Sequence, residues 1–324
     1  MAVNLGALGF AVGHVSDDIG ATGVTVVRGV DQPFRAGCAL LGRATGTREL
    51  DALSPRHLVD RIDAIVLTGG SAFGLDCTGG VMRWMEERGR GFPVGVGVVP
   101  IVPAAVVFDL TPCGSPTARP TATMAYEACD LAMPNDIAEG SVGAGTGTTV
   151  GKAAGPERAM KGGVGLAAES VGSLHVAALA VVNALGDVRD GDGRIIAGAR
   201  GESGFIDLAR SLGQGSLPPE SRFATKAMQN TTLAVVMTNA ALSREELAQL
   251  ASAASVALGR RISPVGTSFD GDVVFSTSPM RGVQAPALQI EALAVSALER
   301  AIERAVRTAR GRDGIPGLAD APHA

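Results

Sequence analysis

Thr231 stands in the stretch "KAMQNTTLAVVMTNA" (226–240), directly behind Asn230 and ahead of Thr232 and an apolar run. A threonine hydroxyl is a weak nucleophile until a base takes its proton, and this chain is poor in the usual base. His14, His57, His175 and His323 stand apart from one another, which gives little support to a Ser-His triad or a histidine metal site. The α-amine of an N-terminal threonine is another base. Its reference pKa of about 7.7 to 8.0 leaves roughly a tenth or more unprotonated at neutral pH, whereas lysine sits near 10.4. That amine exists only if the bond between Asn230 and Thr231 is cut, which asks for a threonine at a loop-to-strand junction whose hydroxyl can turn onto the preceding carbonyl. Asn-Thr-Thr also matches a glycosylation acceptor. The opening "MAVNLGALGF" has no basic stretch ahead of an apolar core, so a cytoplasmic protein is the expectation.

The elements that must carry this threonine follow from periodicity. "GVTVVRGV" (23–30) and "DAIVLTGG" (63–70) are strand-like, and the glycine turn after the second leads into a helix with Val81, Trp84 and Met85 on one face. "LHVAALAVVNALGDV" (174–188) is a long apolar strand turned back by "RDGDGRI", and "TTLAVVMTNA" (231–240) is another. Ser243 and Glu246 form a capping-box pattern ahead of the helix "REELAQLASAASVALGRRI". "SPVGTSFDGDVVFSTS" supplies a further strand, and "LQIEALAVSALERAIERAVRTAR" is a closing amphipathic helix. The 201–230 region reads as an exposed loop and "GRDGIPGLADAPHA" as a mobile tail. The uncharged run "FPVGVGVVPIVPAAVVF" (92–108) carries three prolines that would break a membrane helix, so strands and turns explain it better. Strands and helices mix without the regular alternation of a doubly wound sheet, which favours α+β layers.

Composition narrows the partners. With 44 glycines, one Trp and one Tyr in 324 residues, the core must pack from small and β-branched side chains. A net charge of -4 with no basic stripe makes nucleic acid an unfavoured partner. Cys38, Cys77, Cys113 and Cys129 lie far apart and read as reduced thiols.

Other motifs fall short of their chemistry. "GGSAFG" (69–74) lacks dinucleotide spacing, and Phe73 stands where a nucleophile elbow needs glycine, which leaves Ser71 as an alternative nucleophile in an uncut chain. In "TVGKA", Thr146 and Ala153 occupy positions that a phosphate loop requires to be Gly and Ser or Thr. Asp187, Asp190 and Asp192 miss the EF-hand series and suit a hairpin turn.

The blocks "NTTLAVVMTNAALS" and "SFDGDVVFSTS", with "LTGGSAFGLDCTGGVMRWMEE", "VPIVPAAVVFDL", "GAGTGTTVGK", "AMKGGVG" and "LAVVNALGDV" in the same order, resemble the self-processing DmpA family across nearly the whole chain. That family includes L-aminopeptidase/D-amino-acid esterases, β-aminopeptidases and the nylon-oligomer hydrolase NylC. The resemblance implies a four-layer αββα sandwich in one domain, 1–324, cut into 1–230 and 231–324 with Thr231 as the new N-terminus. Asn-Thr at the cut tilts the likeness toward NylC. By the same resemblance, Lys152 matches an active-site lysine, Asn183 an amide near the reacting carbonyl, and Asp270 and Asp272 two acids that hold the nucleophile. Lys161 in "MKGG" is a rival for the lysine, and "FDGDV" could be an ordinary Asp-Gly turn. Phe108 stands where several relatives have Tyr, so substrate preference need not carry over.

The implied activity is cleavage of amide bonds in small peptides or amino-acid oligomers, with no metal or organic cofactor and with homo-oligomeric association of the processed units. The alternatives are a hydrolase using Ser71, or a non-catalytic binding or assembly protein on the same fold.

Overall fold

The structure is a computed structural model that describes residues 3–216 and 230–320. Its two main sheets are built from β1 (Phe10–Asp17), β2 (Thr22–Gly29), β3 (Phe34–Leu40), β4 (Thr47–Arg48), β5 (Ala64–Thr68), β6 (Ala104–Val106), β7 (Gly163–Val171), β8 (Leu174–Asn183), β9 (Thr231–Thr238) and β10 (Val273–Pro279). Each is five-stranded, in the orders β1-β2-β5-β6-β4 and β7-β8-β9-β10-β3.

Alternation within the apolar runs sets the layers. Ala177, Leu179 and Val181 of β8, with Leu233, Val235 and Met237 of β9, pack against Phe10, Val12, Ile65 and Leu67 of the first sheet. Their neighbours Val176, Ala178, Ala180, Val182, Ala234 and Val236 point the other way. There they meet Leu247 and Leu250 of α4 (Arg244–Ala254) and Ala294, Leu298 and Ala301 of α6 (Ala287–Arg307), with α5 (Val256–Arg261) alongside. The outer face of the first sheet, Val24, Val26, Ala64 and Val66, is covered by α1 (Thr78–Glu86) and α2 (Ala122–Asp130). A strand buried on both faces needs apolar residues at every position, which is why β8 and β9 read as unbroken runs. The result is the expected αββα order.

The abundance of glycine and alanine has a packing reason. A Cβ at Gly165 of β7 would lie 2.0 Å from the carbonyl oxygen of Ala301 in α6, so the helix can rest on the strand only because that side chain is absent.

Three connections position the site. Strands β9 and β10 are parallel, joined through α4 and α5. The register of β8 against β9 sets Asn183 opposite Thr231. One residue before β9, Asn230 forms a bridge with Asp270, so the segment leading into β10 lies beside the segment leading into β9.

The capping box forms as read, with Ser243 Oγ accepting from Glu246 N and Glu246 Oε2 from Ser243 N. Asp190 caps its turn by accepting from the amides of Asp192 and Arg194. Cys38, Cys77, Cys113 and Cys129 are free thiols. No helix among the described residues is long and apolar enough to cross a membrane.

Two expectations are corrected. The 201–230 region is not simply a loop, because it holds a short strand pair at 200–205 and α3 (Leu208–Gly213). Both are anchored by Asp187, whose carboxylate accepts from Ala199 N and Leu208 N at 2.8 and 2.7 Å; residues 217–229 lie outside the described residues. The tail is not loose up to Asp320, since Ile315 is buried, Pro316 O accepts from Lys161 N, and Asp320 Oδ2 accepts from Gly311 N. His323 lies outside the described residues.

Gly165→Ala should lower the unfolding free energy by about 1–3 kcal/mol, because the new methyl group overpacks the β7–α6 contact. Gly79→Ala, on an open face of α1 where a Cβ meets nothing within 4 Å, should raise it by roughly 0.5–1 kcal/mol. Urea titrations of both variants test this, and equal shifts would refute the close-packing account.

Candidate active site

The site is built where β9 begins. Thr231 is buried at the strand's first position, and its hydroxyl donates to the carbonyl oxygen of Asn230, 2.6 Å away. The same oxygen accepts from the main-chain amide of Gly271 at 3.0 Å. A side-chain hydroxyl and a main-chain N–H therefore converge on the carbonyl that precedes Thr231. Asn230 is itself buried, and its side-chain Oδ1 has no hydrogen-bond partner among the described residues.

Lys152 reaches this place from the glycine-rich segment. Gly151, in a left-handed conformation (φ 75°), turns the chain so that the Lys152 side chain returns to the end of β8. Lys152 Nζ donates to Asn183 Oδ1 at 2.7 Å and to Asn183 O at 3.1 Å. Asn183, fully buried, also accepts from Thr149 N at 3.1 Å and donates through Nδ2 to Phe108 O at 3.0 Å. The contact with residue 108 is thus made by its main chain and is indifferent to Phe or Tyr there. Burial lowers the Lys152 ammonium to about 7, against the opposing pull of Asp270. A lysine so tuned can hold or release a proton near neutral pH.

The two acids flank the donor glycine. Asp270 Oδ2 accepts from Thr267 N at 2.8 Å. Burial raises its carboxyl above the ordinary range while the Thr267 bonds and the Lys152 charge draw it down. Asp272 accepts from Thr232 N at 2.6 Å and Gly266 N at 3.2 Å, which ties the start of β9 to the loop before β10. Burial, and then the charge of Asp270, push Asp272 up to about 7.

Thr231, Asn183, Lys152, Asp270 and Asp272 are therefore brought into one cluster. The rival lysine is elsewhere: Lys161 is buried and donates to the carbonyls of Thr146 and Thr148 at 3.0 and 2.5 Å, holding the glycine-rich loop. Ser71 opens the turn after β5 with its amide on Val107 O, and no side-chain hydrogen bond joins its hydroxyl to a base among the described residues. Asp109 fixes that turn by accepting from Gly70 N and Thr22 Oγ1. No group of three His, Cys, Asp or Glu among the described residues is placed to hold a metal ion.

Sequence reasoning missed Gly271 and Thr149, which act through main-chain N–H groups. For Gly271 a signal existed, a glycine between two acids, but it suited a turn equally well. In the structure its role is close approach, since a Cβ there would lie 2.4 Å from Ala44 O and 3.0 Å from Thr231 Oγ1.

A sequence model described as peptidase family S58 matches residues 7–318. An uncharacterized aminopeptidase of Mycobacterium tuberculosis is 40% identical over 329 residues, covering 93% of this chain and 90% of its own. A 6-aminohexanoate-oligomer endohydrolase of Kocuria sp. is 28% identical over 276 residues, covering 83% and 73%. Among solved structures, the β-aminopeptidase of Burkholderia sp. superposes with a TM-score of 0.70 at 19% identity, over 98% of this chain and 92% of its own. The L-aminopeptidase D-Ala-esterase/amidase of Ochrobactrum anthropi, described as a new variant among the Ntn hydrolase fold, gives 0.67 at 19% identity over 97% and 90%. These two likenesses establish the fold.

The Asp272 shift has a consequence for stability. Its carboxyl titrates from 3.8 when unfolded to about 7 when folded, so the folded chain keeps a proton that the unfolded chain has released. Its contribution is full below the unfolded value and is lost as pH rises through the folded one. The melting temperature of Asp272→Asn, which cannot ionise, should therefore fall less steeply than wild type between those two values. Parallel melting curves across that window would refute the assignment.

Proposed function

The chain belongs to peptidase family S58, a hydrolase family acting on amide bonds, and from that membership and the Thr231 cluster we propose an autocatalytically processed N-terminal-threonine hydrolase. The observation that carries this is the Asn230 carbonyl, touched at 2.6 Å by the Thr231 hydroxyl and at 3.0 Å by the Gly271 amide in one continuous chain.

In the self-cleavage, Lys152 in its neutral form takes the proton of Thr231 Oγ1, which bonds to the carbonyl carbon of Asn230. The bond from that carbon to Thr231 N then breaks, and the leaving nitrogen takes a proton. Water hydrolyses the resulting ester, returning a carboxylate to Asn230 and a free hydroxyl and α-amine to Thr231. In the processed enzyme the amine, with a reference pKa of about 7.7 to 8.0, is the base for attack on a substrate amide. An acyl-enzyme forms on Thr231, the amine of the leaving portion departs, and water releases the acid. Asn183 holds Lys152, while Asp270 and Asp272 hold the strand ends that meet at Thr231.

The substrates proposed are small peptides or amino-acid oligomers. The greater identity to the mycobacterial aminopeptidase than to the oligomer endohydrolase favours release of N-terminal residues. Homo-oligomeric association of the processed units and a cytoplasmic setting complete the proposal.

Intact mass and N-terminal sequencing of the purified protein test it. Fragments 1–230 and 231–324 are expected from wild type and from Ser71→Ala, and an uncut chain from Thr231→Ala. A wild-type chain that stays whole and inactive, or an activity lost only in Ser71→Ala, would overturn the proposal. Lys152→Met should remain folded and uncut. Lys161→Met should melt lower yet still be cut, because its ammonium secures loop carbonyls; the reverse pattern would exchange the two lysines.

A further inference from the structure

When the carbonyl carbon becomes tetrahedral, its oxygen takes on negative charge that a hydrogen-bond donor must meet. The Asn183 side-chain amide, which the resemblance puts near the reacting carbonyl, donates to Phe108 O and accepts from Lys152 and Thr149. The N–H that lies on the reacting oxygen belongs to Gly271.

We infer that the main-chain amide of Gly271 is the oxyanion donor, first for the Asn230 carbonyl during self-cleavage and then for the substrate carbonyl in the processed enzyme. The inference rests on the proposed self-cleavage at Thr231. Its geometry has three parts. The amide is 3.0 Å from Asn230 O in the uncut chain, a distance that shortens and strengthens as the oxygen gains charge. The absence of a side chain at 271 lets this peptide approach Thr231 Oγ1, from which a Cβ would be 3.0 Å.

The third part is the rigidity of the donor. On one side, Asp270 O accepts from Arg43 N and Ala44 N at 2.9 and 3.0 Å; on the other, Asp272 O accepts from Leu41 N at 2.8 Å. The two carboxylates tie down the flanking loop through Thr267, Gly266 and Thr232. A donor held in this way needs no reorganisation when charge develops, which is the condition for strong electrostatic stabilisation. Asp270 and Asp272 are thus positioning residues for a backbone group. When cleavage frees Asn230, the same N–H faces the place where a substrate carbonyl must sit to be attacked by Thr231.

The test replaces the Gly271 amide with an ester by incorporating glycolate at 271 in cell-free synthesis of the full chain. A matched control carries leucic acid at 131, which removes the Leu131 N–H to Glu127 O bond at the end of α2 and touches neither the Gly271 peptide nor any group that holds it. The Gly271 ester should cut at 230–231 roughly 10²–10³ times more slowly than wild type, and the Leu131 ester at close to the wild-type rate, with similar melting temperatures for both. A Gly271 ester that cuts as fast as the control overturns the inference while leaving the proposed function intact; a wild type that never cuts overturns the proposed function itself.

Should the Gly271 ester fold poorly, the native processed enzyme supplies a second measurement. With aspartate carbonyl carbon and glycine nitrogen labelled, the Gly271 amide proton should move downfield when a peptide aldehyde forms its tetrahedral adduct on Thr231. An unmoved resonance overturns the inference.

Discussion

The carbonyl oxygen of Asn230 accepts one hydrogen bond from the residue that follows it and one from Gly271, far along the chain. The first is local, since a threonine hydroxyl reaches the carbonyl of the preceding peptide. The second requires that β10 enter the sheet beside β9, parallel to it, with Gly271 as the last residue but one before the strand. Parallel neighbours need a crossover, and α4 and α5 supply it. Their apolar faces cover the same side of β8 and β9 that α6 covers, so the helix layer that buries the sheet also sets the strand order on which the site depends.

That order gathers ionisable groups in a place where charge is costly. Lys152, Asp270 and Asp272 lie together beneath the start of β9, and burial drives the lysine down and both acids up. Two of them, Lys152 and Asp272, are brought near neutrality from opposite directions by the same cause, and the charge of Asp270 acts on both. Buried polar groups are tolerable when hydrogen-bonded. Asn183 does this for Lys152, and main-chain amides do it for the acids. Lys161, more deeply buried than Lys152, donates to loop carbonyls and so stabilises the glycine-rich segment from which Lys152 extends.

Much of the fold was legible in the sequence because one physical rule, the burial of apolar periodic faces, writes itself locally. The runs 174–188 and 231–240 became strands that end earlier, at Asn183 and Thr238, and the Val81, Trp84 and Met85 face of α1 and the capping box of α4 became the elements they suggested. The readings that failed, at 201–213 and 311–320, concern polar segments ordered by distant partners. Asp187 holds α3 and the strand pair before it, and the Lys161 amide meets Pro316 O; neither tie has a local signature.

The sequence by itself determined the residue types of the site, their order along the chain and the strands that carry Thr231 and Asn183, since periodicity and short motifs are properties of neighbours. Family resemblance singled out Lys152, Asn183, Asp270 and Asp272, but not what each one touches. Only the tertiary structure decided that Lys152 and not Lys161 meets Asn183, that Phe108 takes part through its carbonyl, and that Gly271 lies against the Asn230 oxygen. The physical reason is that these are contacts of direction and distance, several made by main-chain atoms identical in every residue. Such contacts are set by strand register and by how closely one peptide can approach another, and a string of side chains does not display either.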